Sequence, residues 1–91
     1  MSEETMCRFV VIADSGPQTL MRVLGLFAQR DFTPVRVEAG RSGQKLSIVV
    51  EQDALAPAAA ILLAEKIRAS VCVWSVDLSM GVSVNGKGSV C

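Results

Sequence analysis

Apolar residues alternate with polar ones in some stretches of the chain and recur every three to four residues in others, and each change of period marks an element boundary. Cys7 to Ala13 (CRFVVIA) is β-branched and aromatic with imperfect alternation, the pattern of a largely buried central strand. It stops at DSGPQ, where Asp14 or Ser15 is placed to cap a helix, Pro17 suits a first turn, and Ser15 with Gln18 fits a capping box. Leu20, Val23, Leu24 and Phe27 then recur at helical spacing, with Gln18, Arg22 and Gln29 on the other side, which predicts a helix from about Pro17 to Arg30.

Phe32 to Gly40 alternates again, with Val35, Val37 and Ala39 on one face and Pro34, Arg36 and Glu38 on the other. Proline cannot donate to a strand ladder, so Pro34 puts this strand at a sheet edge or at its own start. RSGQ (Arg41 to Gln44) reads as a hairpin turn, and KLSIVVE returns with Leu46, Ile48 and Val50 facing inward. A second helix follows, with Asp53 as its cap, Pro57 near its first turn and Ile61, Leu63, Ala64 and Ile67 as a buried stripe. Ser70 to Ser79 is the last strand, and its Trp74 reads as a large packing residue. From Met80 the composition turns to Gly, Ser and Asn, so residues 6–79 form the expected domain and 80–91 a flexible tail.

The order strand, helix, strand, strand, helix, strand is the split βαβ of an α+β, ferredoxin-like sandwich: a four-stranded antiparallel sheet with two helices on one face. Right-handed crossovers place the first and third strands in the centre and the second and fourth at the edges. The other sheet face carries Arg8, Val10, Ile12, Arg36, Lys45, Ser47 and Val49. With a half-apolar open face and two open edges, the fold is expected to pair with a second copy.

Composition narrows the function. Nine basic and nine acidic residues cancel without a run of either sign, so there is no electrostatic footprint for nucleic acid or an anionic membrane. The start, MSEETM, is acidic where a signal peptide is basic, and the apolar run from Ala54 to Ala64 is too short to span a bilayer, which together read as a cytoplasmic protein. Cys7, Cys72 and Cys91 are scattered and there is no histidine, so no metal site and no cofactor is expected; Cys7 and Cys72 read as small buried hydrophobes.

Catalysis lacks its usual residues. Without histidine or tyrosine, and without a nucleophile beside a base, acid/base and covalent chemistry have no candidates, so no catalytic residue is assigned. DSGPQT has neither the arginine nor the glycine density of an acylphosphatase loop. Phe9 is the single aromatic on the two central strands, too few for an RNA-stacking sheet.

One position stands out. Gly25 lies in the middle of the first helix, where glycine costs about 0.5–1 kcal/mol relative to alanine. Either it clears room for the second helix of the same chain, or it lets another chain approach the backbone beside Leu26, which the helical spacing puts at the exposed edge.

RVLGLFAQRDF, the stretch around Gly25, resembles the first helix of ACT domains in the small regulatory subunits of acetohydroxyacid (acetolactate) synthase, whose pattern is roughly SRVxGLFSQRGYNI after an NE(S/P)GAL loop. Arg22, Val23, Gly25, Leu26, Phe27, Gln29, Arg30 and Phe32 match it, and LAEKIRASVCVWSV is similar to the end of the family's second helix at Leu63, Lys66 and Ile67. The resemblance spans about Arg8 to Leu78. It departs at Gln18, where the family keeps a glycine, at Asp31, which replaces the turn glycine, and at Thr33-Pro34, which replaces Asn-Ile.

The resemblance implies a non-catalytic subunit of the short, single-domain type. It would bind and activate or tune the catalytic large subunit of acetolactate synthase in branched-chain amino-acid biosynthesis. It also implies a homodimer that holds a small amino acid such as valine, leucine or isoleucine between the first loop of one copy and the second strand of the other. Carried onto this chain, the effector residues are Asp14, Ser15, Gly16, Gln18, Thr19, Leu20, Thr33, Pro34 and Val35, and the partner-binding residues are Arg22, Gly25, Leu26 and Gln29. The altered DSGPQT loop supports an alternative, a stand-alone amino-acid-binding sensor.

Overall fold

A computed structural model describes residues 5–82. The elements are β1 (Thr5–Asp14), α1 (Thr19–Gln29), β2 (Arg36–Ser42), β3 (Lys45–Gln52), α2 (Pro57–Arg68) and β4 (Val73–Val82). They form one antiparallel sheet in the order β2-β3-β1-β4, so β1 and β3 are central and β2 and β4 are the edges, as right-handed crossovers require.

Strand alternation builds the core. Cys7, Phe9, Val11 and Ala13 of β1 and Leu46, Ile48 and Val50 of β3 are buried beneath Val23 and Phe27 of α1 and Ala60, Leu63, Ala64 and Ile67 of α2. Phe9 meets Phe27 edge to face at 5.2 Å between ring centroids, the aromatic geometry that adds to simple burial. β2 and β3 are joined by a tight hairpin in which Gly43 takes φ 61 at the first central position, as a type II′ turn demands.

Several local expectations are corrected. Val35, Val37 and Ala39 do not face a core: every residue of β2 is exposed, because α2 packs on β4 and β1 and α1 on α2, leaving β2 beyond the helical layer. In α2 the inward position is Ala60, and Ile61 is exposed one step round the helix. The capping box does not form. Gln18 is the N-cap of α1 with no side-chain cap bond, and α2 starts at Pro57 after Ala56 rather than at Asp53. Proline in the first turn fixes φ where an N–H would have no partner anyway, so it starts α2 without a cap.

Trp74 does not pack inward. Ile12 pairs with Ser75 and Ala13 with Val73, so Trp74 is the extra residue of a β-bulge and stands 57% exposed at the rim of the sheet. β4 begins later and runs farther than expected, through Met80 to Val82, while Ser70 to Cys72 form the turn before it. The remainder of the expected tail, including Cys91, lies outside the described residues.

Candidate functional site

α1 ends in a geometry that positions its outer face. Asp31 adopts φ 63 and donates its N–H to Ala28 O at 3.0 Å, while the N–H of Phe32 bonds to Phe27 O at 3.0 Å. These are the two bonds of a Schellman termination, and they turn Phe32 back onto the core. α2 ends against β4, where Arg68 Nη2 donates to Val76 O at 3.0 Å and fixes the approach of the turn at Ser70 and Val71.

Between α1 and that turn lies an open groove of about 410 Å³. Arg22, Gly25, Leu26 and Gln29, the partner-binding candidates, all line it, one helical turn apart along the same side of α1. Met21, Ser70 and Val71 complete it, and no pattern in the sequence marks them. Met21 is 71% and Val71 101% exposed, so the groove has apolar walls framed by the polar ends of Arg22 and Gln29.

Two expectations change here. A Cβ built on Gly25 meets nothing within 4 Å, so the glycine does not clear room for α2. Leu26 is half-buried and packs against the core as well as lining the groove, so it is not a freely exposed edge residue.

The effector candidates fall into two separate groups. Asp14 to Leu20 sit where β1 leads into α1, at the level of Lys45 and Ser42. Thr33, Pro34 and Val35 precede β2 at the other end of the sheet, where Arg36 aligns with Glu51 and Arg8. At about 3.4 Å per residue, the 7 residues of β2 keep the groups roughly 20 Å apart within one chain.

In the first group, the N–H of Asp14 bonds to Cys72 O at 2.9 Å and that of Ser15 to Gln44 O at 3.1 Å. Thr19 N–H goes to Gly16 O and Arg22 N–H to Gln18 O. This leaves the first-turn N–H groups of Leu20 and Met21 without a partner among the described residues. Thr19 is buried and Leu20 packs on the core, so their side chains face inward. A Cβ on Gly16 would make only ordinary contacts, 3.5 Å to Thr19 Oγ1 and 3.7 Å to Asp14 Oδ2.

In the second group, Gln52 is buried and donates its Nε2 to Thr33 O at 3.2 Å and Asp53 O at 3.3 Å, while its Oε1 has no partner among the described residues. Extending the inward alternation of Leu46, Ile48 and Val50 by one step would have identified it. On the exposed edge strand, Arg36 Nε donates to Glu38 Oε2 at 3.0 Å and holds that carboxyl below its ordinary value of 4.5. Burial pushes the Cys7 thiol up. Among the described residues no group of three or more His, Cys, Asp and Glu could hold a metal ion, and no helix is long and apolar enough to cross a membrane.

The sequence profile of the ACT-like domain family matches residues 1–84. The chain belongs to this family. Its fold agrees: the crystal structure of the ACT domain from GTP pyrophosphokinase of Chlorobium tepidum superposes with a TM-score of 0.74 at 9% identity, covering 84% of this chain and 99% of that one. The solution structure of the C-terminal domain of the MgtC protein from Mycobacterium tuberculosis gives 0.64 at 16% identity, covering 93% and 94%. No curated protein matches the chain. ACT domains are regulatory, ligand-binding modules without catalysis of their own. For this ACT-like domain, the relevant features are therefore a loop with free helix-start donors, a bare β2 edge and an open groove on α1.

Proposed function

We propose that this ACT-like domain is a regulatory module that pairs with a second copy along β2 and holds a small amino acid between the copies. Through the groove on α1 it binds a catalytic partner, and the partner we propose is the large subunit of acetolactate synthase. The observation that carries the reading is the separation of the effector candidates. Antiparallel pairing of two β2 edges would bring Thr33 to Val35 of one copy to the end of the sheet where the other copy holds Asp14 to Leu20. The unpaired N–H groups of Leu20 and Met21 suit the carboxylate of an amino acid at a helix start. β2 is exposed along its whole length, as a strand awaiting a neighbour would be. The partner's identity rests on the RVLGLFAQR resemblance.

The test joins thermal melting with single amino acids to co-purification with the large subunit. A ligand at ~100 times its Kd stabilises the folded state by about 2.7 kcal/mol, roughly 11–22 °C in a domain this small. A shift confined to valine, leucine or isoleucine, together with a complex that changes the synthase rate, is the expected result. A shift with another amino acid and no complex would make the protein a stand-alone sensor. If no amino acid shifts the melt and no complex forms, the proposal is overturned.

A further inference from the structure

The sheet face opposite the helices has no partner within the described chain, and the strand register sets its residues in a grid. Arg8 lies between Glu51 of β3 and Ser79 of β4, Val10 between Val49 and Asp77, and Ile12 between Ser47 and Ser75, while Asp14 pairs with Lys45. Val10, Ile12 and Val49 are half-buried, and Arg8, Asp14 and Lys45 are exposed. The centre of the face is thus apolar, and each central strand runs from a positive to a negative end, β1 from Arg8 to Asp14 and β3 from Lys45 to Glu51.

We infer that a second copy of this chain docks on this face, sheet against sheet, about a two-fold axis that lies between the sheets and perpendicular to the strands. That axis lays β1 antiparallel over β1 of the other copy and β3 over β3. Arg8 of one copy then meets Asp14 of the other, Glu51 meets Lys45, Val10 meets Ile12, and Val49 meets Ser47. On the edge strands Glu38 meets Gly40 and Asp77 meets Ser75, so no like charges face each other. A two-fold along the strands would also match the central pair, but it sets Glu38 against Asp77. The long side chains of Arg8, Lys45 and Glu51 span the ~30° at which stacked sheets cross.

The height of the axis supplies a second argument. It crosses the sheet between Val10 and Ile12, which is the level of Ala39, the middle of β2. A two-fold joining two β2 edges symmetrically passes through the same level, so the two axes intersect at right angles. Edge pairing and face pairing therefore close into a four-copy assembly instead of an open fibre. Face pairing itself goes beyond the proposed function and requires neither the effector nor the catalytic partner.

The test is sedimentation equilibrium of the full chain over a concentration series, on wild type, Ile12→Lys and Ser47→Arg, with circular dichroism to confirm folding. Ile12→Lys puts a cation at the apolar centre, and Ser47→Arg adds bulk where the facing sheet must lie flush, on a side that is open in the single chain. Wild type is expected to reach four copies and to dissociate as salt rises from ~0.1 to ~1 M, where exposed ion pairs are screened. The folded variants are expected to stop at two copies. If edge pairing fails while face pairing holds, wild type stops at two copies and the variants are single, which separates the two ideas. A single-copy wild type, or a folded Ser47→Arg protein with the mass of wild type, overturns the inference.

Discussion

Gly25→Ala separates what the chain requires from what a partner requires. The residue lies inside α1, and a Cβ placed there meets no atom within 4 Å outside its own helix turn. The free protein should therefore gain the full helix-propensity difference of about 0.5–1 kcal/mol, with no steric term to offset it. In a domain of this size each kcal/mol moves the midpoint by about 4–8 °C, so Tm should rise by roughly 2–8 °C in a calorimetric or circular-dichroism melt. In the proposed complex the sign reverses. A methyl group inserted into a close-packed contact costs about 1–3 kcal/mol, a loss of roughly 5- to 150-fold in affinity for the proposed large-subunit partner. A Tm that stays level or falls in the free protein would show that the chain itself depends on the bare position, and the groove argument would fail with it.

Asp31→Gly should stabilise the protein by about 0.5–1 kcal/mol, because Asp31 holds φ 63 in the Schellman turn, a conformation that glycine adopts at less cost. The gain is partly offset by glycine's greater freedom in the unfolded chain. It should appear as a higher urea midpoint at unchanged slope, and a lower midpoint would count against the assigned turn. Cys7 has no exposed surface and its thiol is pushed up by burial, so at neutral pH it remains a protonated, inaccessible thiol. Alkylation followed by mass spectrometry should modify Cys7 only as fast as the domain opens, at least ~100-fold slower than in the denatured chain. Prompt labelling of Cys7 in the folded protein would refute its place in the core.

Elements whose pattern is set by burial on one side were legible. β1, β3 and α1 were read within a few residues, because Phe9, Val11, Ile48, Val50, Val23 and Phe27 must all leave water and their spacing shows how. β2 was read as a strand but its burial was not, since alternation reports which residues share a face and not whether a helix covers that face. The bulge at Trp74 left no mark in the pattern: one extra residue moves a side chain to the rim without changing composition. The groove was half legible. Arg22, Gly25, Leu26 and Gln29 share one helical face by spacing alone, whereas Val71 joins them only through the crossing of α2 and β4. Gly25 is visible as a propensity defect, and the three-dimensional surroundings exclude one of its two explanations, the room for α2.

The departures from the family pattern carry different physical weight. Asp31 stands where the resembled pattern has a turn glycine and itself holds the left-handed backbone of the turn, so it bears on stability while the chain still turns there. Gln18 adds a side chain beside the helix start, where the resembled pattern has a glycine. In the structure that side chain makes no cap, and its Oε1 instead accepts from Arg22 Nη2 at 3.3 Å, one turn along α1. The bond draws Gln18 toward the groove and leaves the N–H groups of Leu20 and Met21 open. It also places Gln18 and Arg22 between the proposed effector end of α1 and the proposed partner groove. Gln18 thus connects the candidate loop with the candidate groove through Arg22.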